Sequence, residues 1–155
     1  MLNREAVSLA PSDPFNWGNL GDSLLETEEG TADARQAYQR AVDLSEELRM
    51  VNPRDIELLT NLAHYYARLG DDESAMRYLG QVLSSAPNDT YAYYYASLVH
   101  LEAGRTEQAL TAITRSVELN YPIAQLRSDP QFTELRSNKQ FLGLLDQPNQ
   151  SKGSN

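Results

Sequence analysis

The chain is 155 residues long, 41% hydrophobic and 23% charged, which suffices for one buried core and is too apolar for a disordered polymer. It contains no cysteine, which excludes disulfides, thiolate metal ligands and a cysteine nucleophile. The formal net charge is −9, with 13 basic residues scattered among 22 acidic ones, so nucleic acid and anionic membrane surfaces are poor candidates as partners.

No apolar run approaches the ~18 residues of a membrane span, and the start lacks the basic-then-apolar pattern of a signal peptide. Direct membrane insertion is not expected. The protein reads as soluble; the compartment stays open, with the cytoplasm preferred over the periplasm.

In chain order, residues 1–13 form the end of a helix: Ala6-Val7-x-Leu9-Ala10-Pro11 mimics the later Val82-Leu83-x-Ser85-Ala86-Pro87. The chain is therefore expected to begin inside a repeat and to be a piece of a longer protein. Asp13-Pro14 supplies a cap followed by proline at the first helical position. Trp17-x-x-Leu20-Gly21-x-x-Leu24 and Ala34-x-x-x-Tyr38-x-x-Ala41 then give two apolar stripes at helical spacing, with Gly30 between them.

The pattern recurs. Leu59, Leu62, Ala63 and Tyr66 form one stripe, and Ala75, Leu79, Val82 and Leu83 the next, with Gly70 between. Residues 59–87 lay over 93–121 at a constant offset of 34: Leu62 meets Ala96, Gly70 meets Gly104, and Leu79 meets Ile113. The first copy is longer. Ala41 to Pro53 spans 12 residues against 5 from Val82 to Pro87, so seven residues, Ser45 to Val51, extend its second helix by two turns.

Gly30, Gly70 and Gly104 sit where a left-handed residue ends a helix at little cost. Asp71-Asp72 and Thr106 follow as candidate caps. Each unit is a helix hairpin that cannot bury its apolar face alone, so neighbours must stack. Beyond Tyr121 the period breaks. Phe132-x-x-Leu135 returns as Phe141-x-x-Leu144, preceded by the capped start Arg127-Ser-Asp-Pro130.

Trp17-x-x-Leu20-Gly21, Ala34-x-x-x-Tyr38, Ala41 and the repeat-ending Pro53 resemble the tetratricopeptide motif. The resemblance covers residues 4–121. It implies an all-α fold: a right-handed α-solenoid of helix hairpins closed by a C-terminal helical cap. The repeats are expected at 14–55, with an extended second helix, 56–89 and 90–122. Capping helices follow at 123–146 and a disordered tail at 147–155. The long second helix ending Met50-Val-Asn-Pro-Arg-Asp55, and the Leu-Arg-x-Asp-Pro-x-Phe type of ending, resemble C-terminal segments of large bacterial signalling proteins.

In this family the first helix of each hairpin lines a concave groove that binds protein segments. The corresponding residues are Asn19 and Asp22, then Thr60, Asn61, His64 and Arg68, then Tyr91, Tyr94, Tyr95, Leu98 and Leu101. The third set is unusually aromatic for a surface, and tyrosine suits binding because it buries area at little rotamer cost. Burial of Tyr94, Tyr95 and Leu98 is the expected driving force, with Asp22, Asn61 and His64 orienting the ligand. His64 in a groove implies affinity that changes between about pH 5 and 8. The opposing reading is that the cap folds over this patch. Trp17, Tyr38, Tyr66 and Tyr93 match large core positions of the motif.

Two chemistries are set aside. The places that clamp a chaperone C-terminus in some relatives hold Gly18 and Asp22, Thr60 and Asn61, and Tyr91 and Tyr95 here, and Asp22 repels a carboxylate. His64 and His100 occupy different helical positions, with no metal-binding spacing or phosphate loop beside them. The expectation is therefore an interaction scaffold without catalysis, metal or cofactor, whose partner is a protein or peptide. The alternative is a structural, regulatory or self-associating tail of a larger bacterial kinase, cyclase or transcription regulator, with homodimer formation as its sign.

Overall fold

The structure is a computed structural model that describes residues 2–27 and 30–147. Among the described residues there are nine α-helices and one 3-10 helix, with no strand. The fold is an all-α helical repeat whose helices pack in adjacent pairs. The chain forms two compact units, Met1–Ala86 and Pro87–Asn155.

The first unit holds α1 (Leu2–Leu9), α2 (Pro14–Leu25), α3 (Thr31–Val51), α4 (Ile56–Leu69) and α5 (Asp72–Ser85). The helices pair as α2 with α3 and α4 with α5, and α3 packs on α4, so one hairpin stacks on the next. Starts are set by carboxylates. Asp13 accepts from the Phe15 amide at 2.9 Å, Asp55 from Leu58 at 3.1 Å and Asp71 from Ser74 at 3.0 Å.

The small residues of the motif have a steric cause. A Cβ on Gly21 would meet the Tyr38 ring at 2.7 Å, and one on Gly18 would collide with the Tyr65 ring. Tyr38, Leu62, Ala63, Ala75 and Leu79 are buried, as their periodicity required. Gly70 closes α4 with φ +82, the left-handed ending expected of it. Gly30 does not: its φ is −89 at the start of α3, and a Cβ there would run into the Leu24 carbonyl. Close approach, not handedness, excludes a side chain at that turn. At the start of the chain α1 is tied to α2 by Asn16, whose amide donates to the Ala6 carbonyl at 3.3 Å. Leu9 remains 80% exposed.

The seven extra residues of α3 have a specific use. They place Glu46 against the next hairpin, where one carboxylate oxygen accepts from Tyr66 of α4 at 3.1 Å and from Tyr78 of α5. Its other oxygen takes Arg49 at 2.7 Å. Tyr66 and Tyr78 stack with centroids 5.7 Å apart. Tyr66, expected in the core, is thus half-buried with its hydroxyl on a carboxylate. Burial first, then the charge and hydrogen bond of Glu46, push Tyr66 up to about 12. Burial alone would raise Glu46, but bonds from Tyr78, Arg49 and Tyr66 hold it below the ordinary glutamate range.

The second unit holds α6 (Thr90–Glu102), α7 (Thr106–Glu118), α8 (Ile123–Ser128), a 3-10 helix (Pro130–Ser137) and α9 (Lys139–Leu145). Asp89 caps α6 by accepting from Ala92 at 2.7 Å, and Gly104 is left-handed with φ +69. Thr106 is the first residue of α7 rather than its cap; Arg105 holds that position without a side-chain bond.

The core of this unit joins Leu98 of α6 and Leu110, Ile113 and Val117 of α7 to Phe132, Leu135, Phe141 and Leu144. The duplicated Phe-x-x-Leu therefore supplies the inner face of the last helices, with the two phenyl rings stacked at 5.7 Å. Arg127 closes the end of α9, donating to the Leu145 carbonyl at 2.6 and 3.2 Å. The tail expected at 147–155 lies, from residue 148 on, outside the described residues.

Candidate functional site

The residues expected to line one groove fall into two groups, one in each unit. In the first unit Asn19 is exposed on α2, while Asn61 and Arg68 are half-buried on α4. Asn61 donates to the Glu57 carbonyl at 2.8 Å. Thr60 is buried and donates to the Ile56 carbonyl at 2.6 Å. It offers no side chain to a ligand.

Asp22 is the centre of this group. Its Oδ1 accepts from the Tyr38 hydroxyl at 2.7 Å and lies 3.3 Å from His64 Nε2 and 3.7 Å from Arg68 Nε. Burial acts to raise its pKa, but the His64 bond and charge, Tyr38 and Arg68 outweigh this and hold the carboxyl below its ordinary value. His64, expected in an open groove, is only 2% exposed. Its ring lies edge-on to Tyr38 at 6.3 Å and 5.9 Å from Tyr65. The imidazole therefore joins α4 to α2 and α3. The ring is part of that packing and is not open to direct ligand contact.

In the second unit the cap does fold over part of the aromatic patch. Tyr94 stacks on Tyr121 at 4.9 Å and 7°, meets Phe132 at 5.8 Å, and donates to Asp129 Oδ2 at 2.8 Å. Burial, then the charge of Asp129 and the bond to it, push the Tyr94 hydroxyl far above the ordinary tyrosine range. Tyr121 is pushed up to about 12, chiefly by burial and then by Asp129. Leu98 is 3% exposed within the core. Tyr94 and Leu98, expected to drive ligand binding, are thus committed to holding the cap.

Tyr91 remains accessible, whereas Tyr95 and Leu101 are partly buried against the core. Tyr91 is 58% exposed, with its ring edge-on to Tyr121 at 5.9 Å. Tyr91 and Tyr95 are four apart on α6 and share a face. The signal for Asp129 was half visible: an aspartate before Pro130 marks a cap, and it does accept from the Gln131 amide at 3.0 Å. Its second oxygen, which takes Tyr94, is a tertiary contact with no local signature.

His100 is half-buried and accepts from Arg105 Nε at 2.9 Å. Among the described residues no three histidine, aspartate or glutamate side chains are grouped to hold a metal ion. Among them no helix is long and apolar enough to cross a membrane.

Capped antiparallel helix pairs, with small residues where the rings cross and one hairpin laid on the next, define a helical-repeat protein. Residues 34–98 match the family model described as tetratricopeptide repeat. Residues 34–98 are thereby identified as tetratricopeptide repeat. No curated protein matches the chain. The family is a non-catalytic interaction repeat that acts by binding other proteins, which supports a scaffold role.

Proposed function

We propose that the chain binds a peptide or protein segment, and that Tyr91 and Tyr95 of α6 are its principal anchors. One observation carries the reading. After the cap has taken Tyr94 and Leu98, two tyrosines on the same helical face still present ring surface to solvent. Tyrosine there offers a broad apolar face with a polar tip and few rotors to freeze.

The test compares immobilised wild-type chain with a Tyr91→Ala/Tyr95→Ala variant whose thermal transition is unchanged. A protein retained by the wild type is purified and titrated against both. Loss of about tenfold or more in affinity is expected for central aromatic anchors. Equal affinity for both chains overturns the assignment.

A second reading, assembly within a larger protein or pairing of two copies, is favoured by Leu9, Met50 and Val51, which are 80%, 79% and 86% exposed. Sedimentation equilibrium tests the pairing: a dimer that Met50→Lys/Val51→Lys converts to monomer supports it, and a monomeric wild type dismisses it.

A further inference from the structure

The first unit has a cavity of about 590 Å³ lined by Pro53, Arg54, Leu59, Arg77, Gly80, Gln81, Ser84 and Ser85. Arg77, Gly80, Gln81 and Ser84 are spaced three and four apart and form one stripe of α5. Arg54 faces them from the turn between α3 and α4. The lining contains two guanidinium groups and no carboxylate, on a chain with 22 acidic residues.

Arg4, Arg49, Arg68 and Arg115 each face an acid, whereas among the described residues Arg54 and Arg77 form no ion pair. Arg77 is instead held over the Tyr78 ring, 5.0 Å from its centroid, and Tyr78 is fixed by its bond to Glu46. One of the two charges is thus pre-positioned. Gly80 leaves the floor open, since a Cβ there would have nothing within 4 Å.

We infer that this cavity receives a phosphate monoester carried on a partner polypeptide. Two guanidinium groups match the −1.5 to −2 charge of a phosphoryl group at about neutral pH. Two forks, with the hydroxyls of Ser84 and Ser85 and the Gln81 amide, offer more donors than a two-oxygen carboxylate can accept, and suit three oxygens. The volume is roughly twenty times the ~30 Å³ share of a water molecule, which leaves room for the chain that carries the phosphate. Pro53 and Leu59 give that chain an apolar wall. No residue of the cavity belongs to the α6 face, so the inference stands apart from the function proposed above.

The full chain is followed by amide NMR during titration with sodium phosphate at constant ionic strength. It is then titrated with a leucine-flanked phosphoserine peptide, and with the serine and glutamate forms of that peptide. Expected are shifts confined to Arg54, Gly80, Gln81, Ser84 and Ser85, and phosphopeptide binding about tenfold tighter than inorganic phosphate. Arg54→Ala should weaken it at least about fivefold, with an Arg40→Ala control unchanged. Because Arg77→Ala removes packing on Tyr78, Arg77→Lys is the companion variant: it keeps the charge, loses the fork, and should bind at an intermediate level. The inference is overturned if the glutamate peptide binds as well as the phosphopeptide, or if inorganic phosphate does. Shifts scattered over the surface and indifferent to Arg54→Ala overturn it equally.

Discussion

Glu46 offers the sharpest test of how this repeat is built, because one carboxylate joins three helices. Replacing it with alanine removes two tyrosine hydroxyl bonds and the pairing with Arg49. A hydrogen bond to a charged group contributes ~1.5–3 kcal/mol, and the Glu46 side chain is 27% exposed, so the lower end applies to each. The Arg49 pair, 35% exposed on its partner's side, adds only about 0.5 kcal/mol. Glu46→Ala should therefore cost about 3.5 kcal/mol, and Tyr66→Phe or Tyr78→Phe about 1.5 kcal/mol each. The Glu46→Ala/Tyr78→Phe double variant should lose less than the sum of the single losses.

Urea unfolding followed by circular dichroism measures these losses, and titration gives an independent local readout. Tyr66 is pushed up to about 12, so its contribution is complete below ~10 and is lost as pH rises through about 12. Glu46 is lowered, so its contribution is complete above ~4.3 and disappears as pH falls through its folded value. Glu46→Gln should bring the Tyr66 phenolate transition back toward ~10 in ultraviolet difference spectra. A loss under ~0.5 kcal/mol in Glu46→Ala, with an unmoved tyrosine transition, would refute the bracing role of the extended helix.

Four further substitutions test the same geometry. Asp22→Asn should cost about 1.5–3 kcal/mol near neutrality and flatten the acid limb of stability. Because the Asp22 pKa is lowered, wild-type stabilisation is complete above ~3.9 and fades as pH falls through the folded value, as urea midpoints across that range would show. Phe132→Ala empties a fully buried site and should cost about 3–5 kcal/mol, with hydrogen exchange rising first in α8 and α9. Gly21→Ala meets the Tyr38 ring and should lose about 1–3 kcal/mol, while Gly143→Ala, with nothing within 4 Å in α9, should gain about 0.5–1 kcal/mol in thermal melts.

The hairpins were legible because their information is local: stripes at helical spacing, a glycine or proline at each end, and a constant offset of 34 between the second and third copies. What the sequence concealed were contacts made at a distance. Glu46-x-x-Arg49 could be read as a surface pair on one helix, but Tyr66 and Tyr78 lie 20 and 32 residues further on. Asp22 was legible as a negative charge near the groove, not as the acceptor that holds Tyr38 and faces His64. Gly30 had the right residue type for the wrong reason, since a carbonyl approach and a left-handed turn demand the same amino acid.

The aromatic helix α6 shows why binding residues were harder to place than core residues. Tyr91, Tyr93, Tyr94, Tyr95, Leu98, Val99 and Leu101 give it apolar groups around most of its circumference, more than one hairpin partner can bury. Such a helix must be covered on a second side, and a tight internal cover competes with a ligand for the same rings. The cap wins Tyr94 and Leu98 because Phe132 and Tyr121 are ring partners of Tyr94 and Asp129 is the acceptor of the one polar atom that burial would otherwise strand. Tyr91 is not bonded to that acceptor and stays 58% exposed. The division between cap and ligand is thus set by where a buried hydroxyl finds a partner. Ring area alone does not decide it, and a search for interaction residues in such repeats should begin with the aromatics whose polar tips remain wet.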